Sequence, residues 1–398
     1  MTTVESSDRK RIYLPSLEGV RAYAFLVVFF AHYTPFSPPV MHFRPWMFPF
    51  MLVERIAWIA VPIFFVMSGY LIGGILYDTR DRKGFFRVFY CRRILRVFPV
   101  YYLTLLSIAC LDSVHRISLN YRFWSDFLYI QNLLPGYISN FDAPPFSQTA
   151  HFWSLAIEEQ FYLLWPLVVW FCPSRRRLIG VTVSLISLCC ILRFSACWTH
   201  FSTEYCYVLT PTRVDAILLG VVLALIRHDR IYKRLERFAK YAALAGITVM
   251  MILVARFPLV APTAYLLAAC EISIVNLTST AIIVAVLEEG SFLCQICSVR
   301  WICWLGSLTY GLYIFHYVYH GWFANSFIYT LAAYISLPVA YFVSTAIAFC
   351  LTLLLAVLSY RFIERPAMNL KSRIKYGPLR ASSISQEATE PIFARIDS

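Results

Sequence analysis

Apolar runs recur from one end of this chain to the other, and a few of them are broken by polar residues at helical spacing. The runs predict ten spans, at 14–34, 56–76, 98–112, 151–171, 178–197, 208–226, 241–257, 265–287, 302–322 and 336–358. All but the third are long enough to cross a bilayer as a helix, and the third extends into 113–116. The first span carries the sharpest pattern. Arg21 and His32 are eleven residues apart with no residue charged at neutral pH between them. Eleven residues are three helical turns, so the two side chains share a face about 16 Å apart along the axis. Glu18 stands one turn before Arg21 on the same stripe. The plain reading is a Glu18–Arg21 ion pair and an unrelated histidine. The chemical reading is a polar stripe turned toward a bundle interior, since charge in a membrane span is costly.

Four further clusters follow. Arg93 and Arg96 are three apart at the start of the third span and share a helical face, where two guanidinium forks match phosphate oxygens. Ordinary charge anchoring would also explain them. His151, Ser154, Glu158 and Tyr162 lie at offsets that make one face, beside Trp153. Glu158 is placed to orient or deprotonate a neighbouring histidine. Arg213 and Asp215, two apart, point different ways on a helix, so each needs a partner elsewhere. Thr309, Tyr313, His316 and His320 form another stripe. His316 and His320 have the spacing of a metal pair, but no acid intervenes and no metal is expected. Small residues at 68–69 and 73–74 allow close helix approach, and Ser68 and Tyr70 are candidate ligand contacts.

Composition sharpens the class. Hydrophobic residues make up 60% and charged residues 14% of the chain, against roughly a quarter charged in soluble domains. The expectation is an all-α, polytopic integral membrane helical bundle of about ten transmembrane helices. The first apolar segment has no small-residue cleavage site, so no cleavable signal peptide is expected. The net charge of +13 does not point to nucleic acid. With the N-terminus inside, about 27 of the 35 Lys and Arg fall on inner segments and about 5 on outer loops, the positive-inside pattern. N- and C-termini are therefore expected in the cytoplasm. The domains read as an N-terminal segment 1–13, a membrane domain 14–370 and a polar, disordered tail 371–398. The inner loop 77–97 is basic, and 227–240 reads as a short amphipathic helix on the anionic leaflet. The outer loops 35–55 and 113–150 are candidates for shaping an outward-facing site. Cys197 and Cys206 flank one short outer loop and could pair.

In order and wording these segments resemble the membrane-bound acyltransferase-3 family over about residues 12–370. The carrying motifs are Leu17-Glu-Gly-Val-Arg21-Ala with His32, Phe64-Phe-Val-Met-Ser68-Gly-Tyr70-Leu-Ile, Arg93-x-x-Arg96 with Pro99 and Tyr101, and Trp153-Ser-Leu-x-x-Glu158-Glu-Gln-Phe-Tyr162. Arg213-x-Asp215, Gly306-x-x-x-Tyr310 with Tyr313-x-x-His316, and Glu364-Arg-Pro366 complete the series. The family start more often reads Leu-Asp-Gly.

The resemblance implies ten spans and an O-acyltransferase of a bacterial-type inner membrane. Acyl-CoA, most simply acetyl-CoA, would be a donor substrate and no cofactor would be tightly bound. Arg93 and Arg96 would lie near the coenzyme's phosphates with Arg21 on its path, and His32 would be the catalytic histidine. A nearby carboxylate such as Glu158 would fix its tautomer. Ser68, Tyr70, Trp153, Ser154, Tyr162, Arg213, Asp215, Tyr313 and His316 would bind substrate. The acceptor would be a sugar hydroxyl of a surface polysaccharide, lipid-linked oligosaccharide or glycolipid. No hydrolase-like domain follows the last span, so a second step on the outer side would call on a glycan-assembly protein. The alternatives are a proton-coupled transporter or exporter, an acyltransferase acting on a small secondary metabolite such as a macrolide, and a non-catalytic scaffold.

Overall fold

The computed structural model describes residues 14–33, 60–114, 121–134, 149–199, 203–256, 264–320 and 322–379. The expectations for 1–13, the loop 35–55, most of 113–150 and the tail beyond 379 fall outside the described residues. Among those described, the chain is helical without a strand. The main helices are α1 (Pro15–His32), α2 (Ala60–Thr79), α3 (Phe85–Val114), α4 (Trp153–Phe171), α5 (Arg175–Trp198), α6 (Asp215–Ile226), α7 (Arg230–Arg256), α8 (Ala264–Leu287), α9 (Arg300–Ser307), α10 (Thr309–Phe315), α11 (Leu337–Ser359) and α12 (Arg365–Arg373).

Among the described residues, five stretches are long and apolar enough to cross a membrane: α2, α3, α5, α8 and the run from α11 into α12. Neither α1 nor α4 is among them; both carry the polar stripes. The face of α5 turned away from the bundle exposes Val183, Leu188 and Ile191, side chains that suit hydrocarbon rather than water.

Several elements depart from the sequence expectation. The basic stretch after residue 85 is not loop but the first turns of α3, which places Arg87, Arg92, Arg93 and Arg96 on a helix. The segment 227–240 does not form a separate short helix; from Arg230 it runs on without a break into the next span as α7. The ninth span, expected at 302–322, divides into α9, α10 and a turn through His320. The sixth breaks at Val214, between a short helix Thr210–Arg213 and α6. The break frees the Thr212 carbonyl, and the Arg193 guanidinium takes it at 2.6 Å.

Close crossings organise the bundle. A Cβ on Gly69 of α2 would collide with the Ile217 carbonyl of α6, and one on Gly220 of α6 would strike the Val66 carbonyl of α2. Two glycines thus let these backbones touch, the small-residue logic of membrane helices. Gly19 against the Cys297 carbonyl and Gly306 against the Glu18 carbonyl seat the start of α1 on the segment around α9 in the same way. After α12 the chain crosses the turn between α2 and α3. Lys83 N–H donates to the Pro378 carbonyl at 3.0 Å and Gly377 N–H to the Lys83 carbonyl at 2.9 Å. Arg92 clasps the Ile374 carbonyl at 2.8 and 2.6 Å.

Candidate functional site

The end of α1 meets the turn after α10, and histidines gather where they meet. His32 Nδ1 lies 3.0 Å from His316 Nε2. His316 Nδ1 lies 2.6 Å from the Tyr313 carbonyl oxygen. A carbonyl only accepts, so His316 carries its proton on Nδ1 and a neutral ring offers Nε2 as acceptor. His32 must then donate from Nδ1, which leaves its Nε2 lone pair as the open position. The tautomer follows from the network. His320 Nε2 donates to the His32 backbone carbonyl at 2.5 Å. The Tyr33 hydroxyl donates to the His316 carbonyl at 2.8 Å, and Tyr341 donates to the Tyr33 carbonyl. The ring of His151 stands 4.9 Å from that of His316. Among the described residues no group of three or more His, Cys, Asp or Glu is arranged to hold a metal.

Below this cluster a cavity of about 140 Å³ runs between α1, α2, α3, α4, α9 and α10. Its polar lining includes Arg21, Arg93, Arg96, Glu158, Glu159 and Tyr162. Ser154 and Tyr313 line it as well, their hydroxyls 2.6 Å apart. Tyr313 also donates to the His151 carbonyl at 3.1 Å. Its ring is 5.4 Å from His316, so Tyr313 stands between the cavity and the histidines. Phe64, Val61 and Leu155 line the cavity and pack with Tyr313 and with Val28 of α1, one turn before His32.

At the arginine end the guanidinium of Arg93 lies 4.4 Å over the Tyr162 ring. Tyr162 donates to Glu158 at 3.2 Å and shares a hydrogen bond with Ser68. Arg21 pairs with Glu18 at 2.5 Å and also lines the cavity. Arg96 shares its electrostatic surroundings with Arg21, Arg93, Glu18 and Glu364. Three arginines thus gather at one mouth, able to take phosphate oxygens.

The structure brings together Arg21, Ser68, Arg93, Arg96, Ser154, Glu158, Tyr162 and Tyr313 around one space. It separates others. Glu158 does not orient His32. It belongs to the arginine end, and an imidazole acceptor, His316, occupies the place expected for a carboxylate. Tyr70 is buried outside the lining, under the Arg227 guanidinium. Trp153 packs on Phe65 and Tyr207, one layer back. Asp215 pairs with Arg193 at 2.9 Å, both buried, while Arg213 lies 4.5 Å over Tyr207 and reaches Asn276 at 3.5 Å. The sequence singled out His151 and His320 only as members of their stripes, and Arg193 not at all. A lone arginine inside an apolar span was the signal for Arg193.

The sequence model of the acyltransferase-3 family, described as an acyltransferase domain, matches residues 14–361. A Bacillus subtilis (strain 168) protein provisionally named a peptidoglycan O-acetyltransferase is 30% identical over 89% of this chain and 55% of its own length. O-acetyltransferase OatA of Staphylococcus aureus (strain NCTC 8325 / PS 47) is 29% identical over 91% of this chain and 60% of its own. A protein of S. aureus strain MRSA252, provisionally named an O-acetyltransferase, is 27% identical over 95% of this chain and 61% of its own. The chain therefore spans a little over half the length of these curated relatives. No solved structure gives a significant match.

Proposed function

The chain belongs to the acyltransferase-3 family, and on that premise we propose that it is an integral-membrane O-acyltransferase whose donor is cytoplasmic acyl-CoA, most simply acetyl-CoA. Its acceptor is a sugar hydroxyl of a surface polysaccharide, lipid-linked oligosaccharide or glycolipid; the relatives' names support O-acetyl transfer, and one of them names peptidoglycan. We place ten crossings in a bacterial-type inner membrane, with both termini in the cytoplasm. That puts the Arg21, Arg93 and Arg96 end of the cavity inside and His32 toward the outer face.

The observation that carries this reading is the relay from the Tyr313 carbonyl through His316 to His32, which leaves His32 Nε2 open. The arginines hold the phosphates of the donor, and its pantetheine arm runs along the apolar cavity toward Tyr313. His32 Nε2 takes the proton of the acceptor hydroxyl as its oxygen attacks the thioester carbonyl; the C–S bond breaks and the coenzyme thiolate leaves. In the covalent variant Nε2 attacks first, and the acceptor oxygen then takes the acyl group from the imidazole. His316, hydrogen-bonded to Nδ1–H, stabilises the charge that develops on the ring in either case.

The test is release of coenzyme A from acetyl-CoA by the purified protein in detergent, read with a thiol reagent. Slow release by wild type should fall about 100-fold or more in His32→Ala, with thermal stability retained. Equal release by both would remove His32 from the chemistry. No release and no stabilisation by acetyl-CoA or longer acyl-CoAs would favour a transporter, because a ligand that binds the folded state must raise its stability.

A further inference from the structure

Cys197 closes α5, and Cys206 lies nine residues on in the short helix Thr203–Val208. Their sulfurs are 3.8 Å apart. Both side chains are buried, packed against Ala269 of α8. The two thiols touch without being bonded.

What hangs from this contact is specific. The Cys206 carbonyl accepts the Thr212 hydroxyl at 2.8 Å, and the Thr212 carbonyl accepts Arg193 at 2.6 Å. The next side chain, Tyr207, lies under the Arg213 guanidinium at 4.5 Å and against Trp153 at 4.9 Å. One turn of backbone, fastened to α5 at Cys206, therefore supplies the aromatic floor for a buried arginine beside the helix that lines the cavity.

We propose that Cys197 and Cys206 are a disulfide site, oxidised on the outer face of the membrane and stapling the Tyr207 turn to α5. The side of the membrane rests on the topology proposed above; the pairing rests on the contact alone. Cytoplasmic thiols are kept reduced, whereas an outward-facing pair meets thiol-oxidising enzymes. The thiolate of one cysteine attacks the disulfide of such an oxidoreductase, and one oxidant sulfur leaves as a thiol. The second cysteine then attacks the mixed disulfide and expels the other oxidant sulfur. Two cysteine thiols lose two electrons and two protons, and the oxidant disulfide is reduced to two thiols. Because both sulfurs are buried in the folded chain, exchange occurs as the turn assembles.

The full chain is produced in bacterial membranes, exchange is stopped by an acid quench, free thiols are then alkylated with N-ethylmaleimide in denaturant at neutral pH, and the protein is purified without reductant and digested. The expected species is a peptide joined through Cys197 and Cys206, two hydrogens lighter than the dithiol and lost on reduction. Both cysteines found alkylated, or Cys206 joined instead to Cys270, overturns the proposal. Two variants, Cys197→Ser and Cys206→Ala, guard against one misfolding. In each the remaining thiol becomes alkylatable. Dithiothreitol lowers the Tm of wild type by several degrees and leaves the variants unmoved, as a short cross-link requires; an equal effect on all three overturns it. Neither readout depends on acyl transfer, so failure here and failure of the proposed reaction are separate results.

Discussion

His316 keeps its proton on Nδ1 because the Tyr313 carbonyl can only accept it, and that constraint decides which nitrogen of His32 faces the reaction. Removing the acceptor frees the ring to turn and to change tautomer. On the proposed mechanism His316→Ala should lower the rate of coenzyme release about 10- to 100-fold, with KM for acyl-CoA little changed. His316→Gln, whose amide oxygen can accept from Nδ1–H, should recover part of the loss. An unchanged rate in His316→Ala would remove the relay from the mechanism. The residue types at this site were legible in the sequence, since an isolated histidine in an apolar helix stands out. Their pairing was not, because His32 and His316 are 284 positions apart. Glu158 was expected to serve His32 because carboxylates are the common partners of histidine. It lies instead among guanidinium groups, where a charge has company.

At the scale of the helix, two features bear most of the architecture. The first is the α2–α6 crossing. Gly69→Ala places a methyl on the Ile217 carbonyl, so the helices must part. The expected cost is about 1–3 kcal/mol, read as a lower Tm in detergent; an unaltered Tm would mean the helices part freely. The second is the broken sixth span. Its length read as one helix, yet the buried Arg193, paired with Asp215 and bonded to the Thr212 carbonyl, holds a break at Val214. Arg193→Met leaves the Asp215 charge buried and unpartnered, at about 3–5 kcal/mol. The double variant Arg193→Met with Asp215→Leu should recover most of that loss in Tm. Equal destabilisation by single and double variants would mean that the Thr212 carbonyl, not the carboxylate, is the partner that matters. Periodicity located these spans because apolar spacing is local. It missed the break at Val214 because that break depends on a side chain from another helix, Arg193.

For the molecule as a whole, the proposed mechanism makes the cavity the place where the acyl chain length would be selected. Phe64 and Leu155 narrow the path beside Tyr313, at its approach to the histidines. Phe64→Ala should shift preference from acetyl-CoA toward donors longer by several carbons, seen as a higher kcat/KM ratio for the longer chain. An unchanged ratio would place the selecting wall elsewhere. Fold class and membrane habit were legible at this scale, since charge density and apolar run length are properties of composition. The cavity was not, because it is the gap left where six helices meet. A last consequence concerns time. The segment from Ile374 to Pro378 holds Lys83 and Arg92, and 282 positions separate Arg92 from Ile374. A ribosome adding 5–20 residues per second needs about 15–60 s to cover that interval. For most of it the nascent chain has its arginines and His32 but not His316, and for all of it this clasp is missing, so the proposed donor site would be finished only when nearly all of the chain has been made.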